Sequence, residues 1–168
     1  MTPELYWIPG PWRGKLAVAA RPRGGDWLED EARGWRSAGL DVIVSLLEKE
    51  EAVQLELADE PNFARANDLV FISFPIPDRG VPATVSDALR VLRTIQDALE
   101  QGKKLAIHCR QGVGRSGLMA AGVLVNSGMT ADEAIDVVSA ARGETIPETT
   151  VQLQWIRQLP SERIPVAS

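Results

Sequence analysis

The chain has 168 residues, of which 45% are hydrophobic and 24% charged, enough for one domain with a real hydrophobic core and without the bias of a fibrous or disordered chain. Eighteen Lys and Arg against 23 Asp and Glu give a net charge of -5, which argues against nucleic acid or an anionic membrane as the main partner. The single cysteine excludes an internal disulfide and any metal site built on two or four cysteines.

The first apolar runs, LYWI and KLAVAA, are separated by PGPWRG, and this Pro and Gly punctuation predicts two strands joined by a turn. After RPRGG, residues 26 to 38 place Leu28, Ala32 and Trp35 on one helical face, with Asp26 as the candidate N-cap. GLDVIVSLL is short and rich in β-branched residues and reads as a buried strand. Residues 48 to 68 are charged and predict one or two short helices interrupted by Pro61. LVFISF is a further strand, stopped by PIPDRGVP. Residues 84 to 101 carry Val85, Ala88, Leu89, Leu92, Ile95 and Leu99 at helical spacing, and Gly102 ends that helix. KLAIHC follows as a strand, and SGLMAAGVLV as a helix apolar nearly all round, hence central and buried. TADEAIDVVSAAR opens with Thr130 and Glu133 at capping-box spacing and stops at Gly143, and a last helix covers 148 to 158.

This alternation predicts a single α/β domain over residues 1–159, with a central, mainly parallel twisted sheet of about five strands flanked by helices, and a mobile tail at 160–168. No basic segment leads into an apolar one at the start, no apolar run approaches the ~20 residues of a membrane helix, and no lipidation pattern is present. The expected location is the cytoplasm and the expected state a monomer.

The chemistry concentrates in KLAIHCRQGVGRSGLMAAGVLV, residues 104 to 125, where the only cysteine, Cys109, follows the only histidine, His108. A loop from a parallel strand into a buried helix points unpaired N–H groups and the positive end of the helix dipole at one spot. Gly112, Gly114 and Gly117 let the backbone curl there, so that the peptide groups of Arg110, Gln111, Gly112, Val113 and Gly114 surround an anion. Arg115 adds a planar fork of donors suited to two phosphate oxygens. The same setting favours the thiolate form of Cys109, which makes it a nucleophile. His108 then serves to orient the loop, and Ser116 to hydrogen-bond the sulfur and ease its departure.

HCRQGVGRSG resembles the His-Cys-x5-Arg-Ser signature of the cysteine-dependent protein tyrosine phosphatases, and the layout is similar to their compact dual-specificity branch. The resemblance implies a two-step hydrolysis of phosphotyrosine, and of phosphoserine or phosphothreonine, on a protein or peptide partner, through a phosphocysteine and without metal or cofactor. It also implies a general acid about thirty residues before the cysteine. Asp78, in the proline-stiffened FPIPDRGVP and 31 residues upstream of Cys109, takes that part, protonating the leaving oxygen and then activating water. RGETIPETTVQLQW resembles the segment that closes over the catalytic loop, which makes Gln152 the residue expected to position water, with Glu148 and Thr149 nearby. Arg21 and Arg23 are candidates for a basic rim. Two rival functions fit the same loop. Arg110 beside the cysteine suits an inositol-phosphate or phosphoinositide phosphatase, and a catalytically silent relative would use the cradle to read phosphate.

Overall fold

The computed structural model describes residues 3–160, so most of the expected tail lies outside the described residues. Five strands form one sheet: β1 (Tyr6–Ile8), β2 (Lys15–Ala19), β3 (Val42–Ser45), β4 (Val70–Ser73) and β5 (Lys104–His108). Seven α-helices accompany them: α1 (Leu28–Ser37), α2 (Lys49–Gln54), α3 (Glu60–Ala66), α4 (Val85–Glu100), α5 (Gly114–Asn126), α6 (Ala131–Arg142) and α7 (Thr150–Gln158). The strand order is β1-β2-β5-β3-β4, with β1 antiparallel to β2 and every other pairing parallel. The α/β fold and its mainly parallel sheet are those expected.

Side chains alternate across the sheet, as strand geometry requires. Leu16, Val18, Val42, Val44, Leu105 and Ile107 face one core with α4, α5, α6 and α7. Ala17, Ile43 and Ala106 face the other, against Trp35 of α1, Ala64 of α3, Leu40 and Leu69. A parallel sheet covered on both faces needs strands that are apolar on both faces, and these strands are. Every residue of α5 is buried, and Ile146 lies so near Gly117 that a Cβ there would stand 2.3 Å from its Cγ2. No helix among the described residues is long and apolar enough to cross a membrane.

Two local expectations are corrected. Asp26 does not cap α1: it sits in a short 3₁₀ turn, Gly25–Trp27, and the α-helix begins at Leu28 without a side-chain cap. Pro61 does not interrupt a helix but stands in the first turn of α3, where its missing N–H costs nothing. Both misreadings concern the first turn of a helix, where composition is a weak guide.

The sheet register decides where the site forms. His108, the last residue of β5, lies between Ala19 of β2 and Ser45 of β3. Beyond the strand ends the ladder continues. Leu46 N–H donates to the His108 carbonyl at 3.0 Å, and Ile76 N–H donates to the Leu46 carbonyl at 3.0 Å. The segment carrying Asp78 is thereby led along the same carboxyl edge as the loop carrying Cys109.

Candidate active site

Between β5 and α5 the chain turns through Cys109 to Val113 and enters the helix at Gly114. Gly112 has φ +73°, a left-handed conformation, and a Cβ there would stand 2.7 Å from the backbone C and O of Ala19. Its N–H donates to Cys109 Sγ at 3.3 Å. The sulfur is almost fully buried, at 3% exposure of the residue. Burial alone would push the thiol up. Hydrogen bonding from the Ser116 side chain and backbone and from Gly112 N–H, with the charge of Arg115, outweighs it and holds Cys109 below the ordinary thiol range. Ser116 Oγ is buried and has no well-aligned partner, so its hydroxyl is free to rotate onto the sulfur once the thiolate forms.

Arg115 is 2% exposed and held from several sides. Its Nη1 and Nη2 donate to the two oxygens of Glu51 in α2 at 2.7 and 3.0 Å, and Nη1 also donates to the Ile76 carbonyl at 2.9 Å. Nη2 lies 3.3 Å from Asp78 Oδ1. Burial works against the guanidinium charge, but the Glu51 hydrogen bonds and the charges of Cys109, Glu51 and Asp78 hold it firmly protonated.

The loop that carries Asp78 is pinned from α7. Arg79 adopts φ +62°, an uncommon conformation for a residue with a side chain. It is fixed by an ion pair with Glu148 at 3.1 Å and by Thr149 Oγ1, which donates to its carbonyl at 3.4 Å. Gln152 Nε2 donates to the Gly80 carbonyl at 3.0 Å, while its Oε1 accepts from the N–H groups of Glu148 and Thr149 at 3.2 Å each. With Thr149 Oγ1 accepting from Gln152 N–H, this is a capping box, and the Gln152 amide is engaged at both ends.

Two further side chains frame the loop from behind. His108 Nε2 lies 2.6 Å from Glu60 Oε2, and Nδ1 lies 3.3 Å from the Cys109 carbonyl. Arg142, at the end of α6, donates from Nε to the Gly112 carbonyl at 3.0 Å and from Nη2 to the Gln111 carbonyl at 3.2 Å, with Tyr6 stacked on its guanidinium at 4.0 Å. Drawing these two carbonyls outward turns the N–H groups of Gly112 and Val113 toward the cradle.

The result is a cavity of ≈ 190 Å³ lined by Asp78, Arg79, Cys109, Arg110, Gln111, Gly114, Arg115 and Glu148. A larger hollow of ≈ 860 Å³ lies beside Trp7, Pro11, Met129 and Val137, far from these groups and mostly apolar. Of the residues singled out in the sequence, Cys109, Arg115, Asp78, Arg110, Gln111 and Gly114 meet at the smaller cavity. His108 and Ser116 are buried behind it, and Val113 turns its side chain into the core. Arg23 is turned away, bonded to Glu31 and lying over Trp27, and Arg21 donates to the Pro22 carbonyl. Glu51, Glu60 and Arg142 had no distinguishing signal in the sequence.

Residues 17–129 match a family model described as a polymorphic toxin system DSP-PTPase phosphatase. The chain belongs to this DSP-PTPase phosphatase family. Among curated relatives, Protein tyrosine phosphatase domain-containing protein 1 of Bos taurus is 33% identical over 141 residues, covering 79% of this chain but only 17% of the relative. Tk-PTP in its active form is 30% identical with a TM-score of 0.76, covering 98% of this chain and 100% of that one. The kinase associated phosphatase KAP, solved with its catalytic-site cysteine replaced by serine, shares the fold at a TM-score of 0.83, covering 93% of both chains at 19% identity.

Proposed function

We propose that this chain is a phosphoric monoester hydrolase that acts on phosphotyrosine, and on phosphoserine and phosphothreonine, in proteins or peptides. The observation that carries the reading is the meeting of the Cys109 sulfur, the Arg115 guanidinium and the Asp78 carboxylate at one ≈ 190 Å³ cavity. Arg115 and the N–H groups from Arg110 to Gly114 bind the three non-bridging oxygens. The Cys109 thiolate attacks phosphorus as the bond to the ester oxygen breaks, and protonated Asp78 gives its proton to that oxygen, releasing the alcohol or phenol. Asp78, now a carboxylate, takes a proton from water as the water oxygen attacks phosphorus. The P–S bond breaks, inorganic phosphate leaves, and Ser116 stabilises the returning thiolate. His108 orients the loop. Gln152 acts on the second step only through the Asp78 loop, which it ties to α7, because both ends of its amide are already engaged. The short chain has no large insertion to build high walls around the cavity, which favours a shallow site that admits short as well as long phosphorylated side chains.

The test is hydrolysis of p-nitrophenyl phosphate in EDTA by the wild type, Cys109→Ser and Asp78→Asn. Activity that is abolished by the first substitution and reduced ~10²-fold or more by the second supports the mechanism. A wild type that binds vanadate but never turns over would leave a phosphate-reading module instead. Among phosphopeptides and inositol phosphates, preferred hydrolysis of the latter would replace the protein substrate proposed here.

A further inference from the structure

Glu60 is the first residue of α3, 2% exposed, and its carboxylate reaches His108 across 48 residues of sequence. A carboxyl group is not buried this deeply without a reason, because an unpaired charge there is costly. Its partner is a ring whose protonation follows from that of the carboxyl group. The Cys109 carbonyl, facing Nδ1 at 3.3 Å, can only accept, and an ionised Glu60, facing Nε2 at 2.6 Å, can only accept as well. Two acceptors require two donors, and an imidazole that donates from both nitrogens is a cation.

From α1 the Trp35 indole stacks on the ring at 5.9 Å between centroids, and Ala19 and Ser45 flank it in the sheet. Burial disfavours the cation, while the Glu60 charge and hydrogen bond, the Cys109 carbonyl and the Cys109 charge favour it, and together they hold His108 above the ordinary histidine range. On the far side of the sulfur stand Ser116, Gly112 N–H and Arg115, the last facing Glu51 and Asp78.

We propose that Glu60 is a positioning residue for the reaction: it holds His108 as an imidazolium aimed at the Cys109 carbonyl, so that a fixed positive charge stands one residue from the nucleophile. The proposal rests on the phosphatase reading only in taking Cys109 as that nucleophile. The rival arrangement is a protonated Glu60 donating to a neutral imidazole, which places no charge beside the sulfur.

With one histidine and one cysteine in the sequence, both partners can be read without ambiguity. In the wild type, the imidazole ¹⁵N shifts at about pH 7.5, well above the ordinary histidine value of about 6.5, should show both nitrogens protonated. Iodoacetate alkylation of Cys109 at about pH 6 should be roughly tenfold slower in Glu60→Gln. In a His108→Gln background the same substitution should change the rate less than about twofold, because the effect passes through the ring. A neutral imidazole at that pH, an unchanged or faster alkylation in Glu60→Gln, or an undiminished effect without His108 would each overturn the proposal. Should Glu60→Gln fail to fold, the wild-type ¹⁵N shifts decide alone. None of these readouts requires turnover, so an inactive enzyme with an intact imidazolium, or the reverse, separates this proposal from the phosphatase reading.

Discussion

Glu51 and Arg115 form a two-pronged ion pair at 2.7 and 3.0 Å, although 64 residues separate them. The pair fixes the plane of the guanidinium before any ligand arrives. Glu51 therefore acts on the same step as Arg115 without touching substrate. Glu51→Gln keeps a hydrogen bond but loses the matched fork. It is expected to lower kcat/KM by about 10- to 100-fold, because small errors in aim are amplified in a preorganised site. Steady-state kinetics beside a melting curve separates this from instability, since the loss of Tm should be only a few degrees.

Gly112 combines a left-handed backbone with a clash in waiting: φ is +73° and a Cβ would stand 2.7 Å from Ala19 backbone atoms. Gly102 has a similar φ of +88° but nothing within 4 Å. Both alanine substitutions carry the conformational cost of about 1–2 kcal/mol, and only Gly112→Ala must also move the loop off Ala19. Activity should survive in Gly102→Ala and fall by ~10²-fold or more in Gly112→Ala. Equal losses in the two variants would show that strain, not the approach to Ala19, decides.

Arg142 shapes the cradle through two carbonyls at 3.0 and 3.2 Å, and neither bond reaches a ligand directly. Arg142→Lys retains the charge but not the fork that serves both peptide groups. Vanadate inhibition should weaken by about tenfold or more, with a smaller change in Tm. Unaltered vanadate affinity would place Arg142 outside the site's machinery.

The lowered pKa of Cys109 links catalysis to stability. A group whose folded pKa is depressed stabilises the fold fully above its unfolded value, and that contribution is lost as pH falls through the folded value. Relative to Cys109→Ser, the wild type should therefore gain Tm as pH rises toward about 8.5, the unfolded thiol value, and level off above it. A difference independent of pH would mean that the sulfur is not ionised in the folded protein.

The strand-loop-helix at Cys109 was legible because its information is local: β-branched and apolar residues lead into a glycine-rich turn and then a helix apolar all round. Thr130 and Gly143 likewise mark the ends of α6, with Thr130 Oγ1 accepting from Glu133 N–H and Gly143 in the left-handed conformation. The framing residues were not legible for the opposite reason. Glu51 and Glu60 sit in a stretch where seven of the residues from 48 to 68 are Asp or Glu, and nothing local sets these two apart. Each acquires its meaning only when the parallel sheet brings α2 and α3 to the end of β5. Gln152 is singled out in the sequence only by the resemblance of its segment, whereas its hydrogen bonds, to Gly80 and within the capping box, follow from a turn whose partner lies 72 residues away.

The three residues that grip the cysteine loop come from α2, α3 and α6, outside the signature itself. A copy of this gene could keep every letter from His108 to Gly117 and still encode a protein weakened about tenfold or more, through one changed base in the codon for Glu51 or Arg142. Sorting working enzymes from decoys among sequences like this one therefore calls for reading the scaffold's distant acidic and basic positions together with the motif.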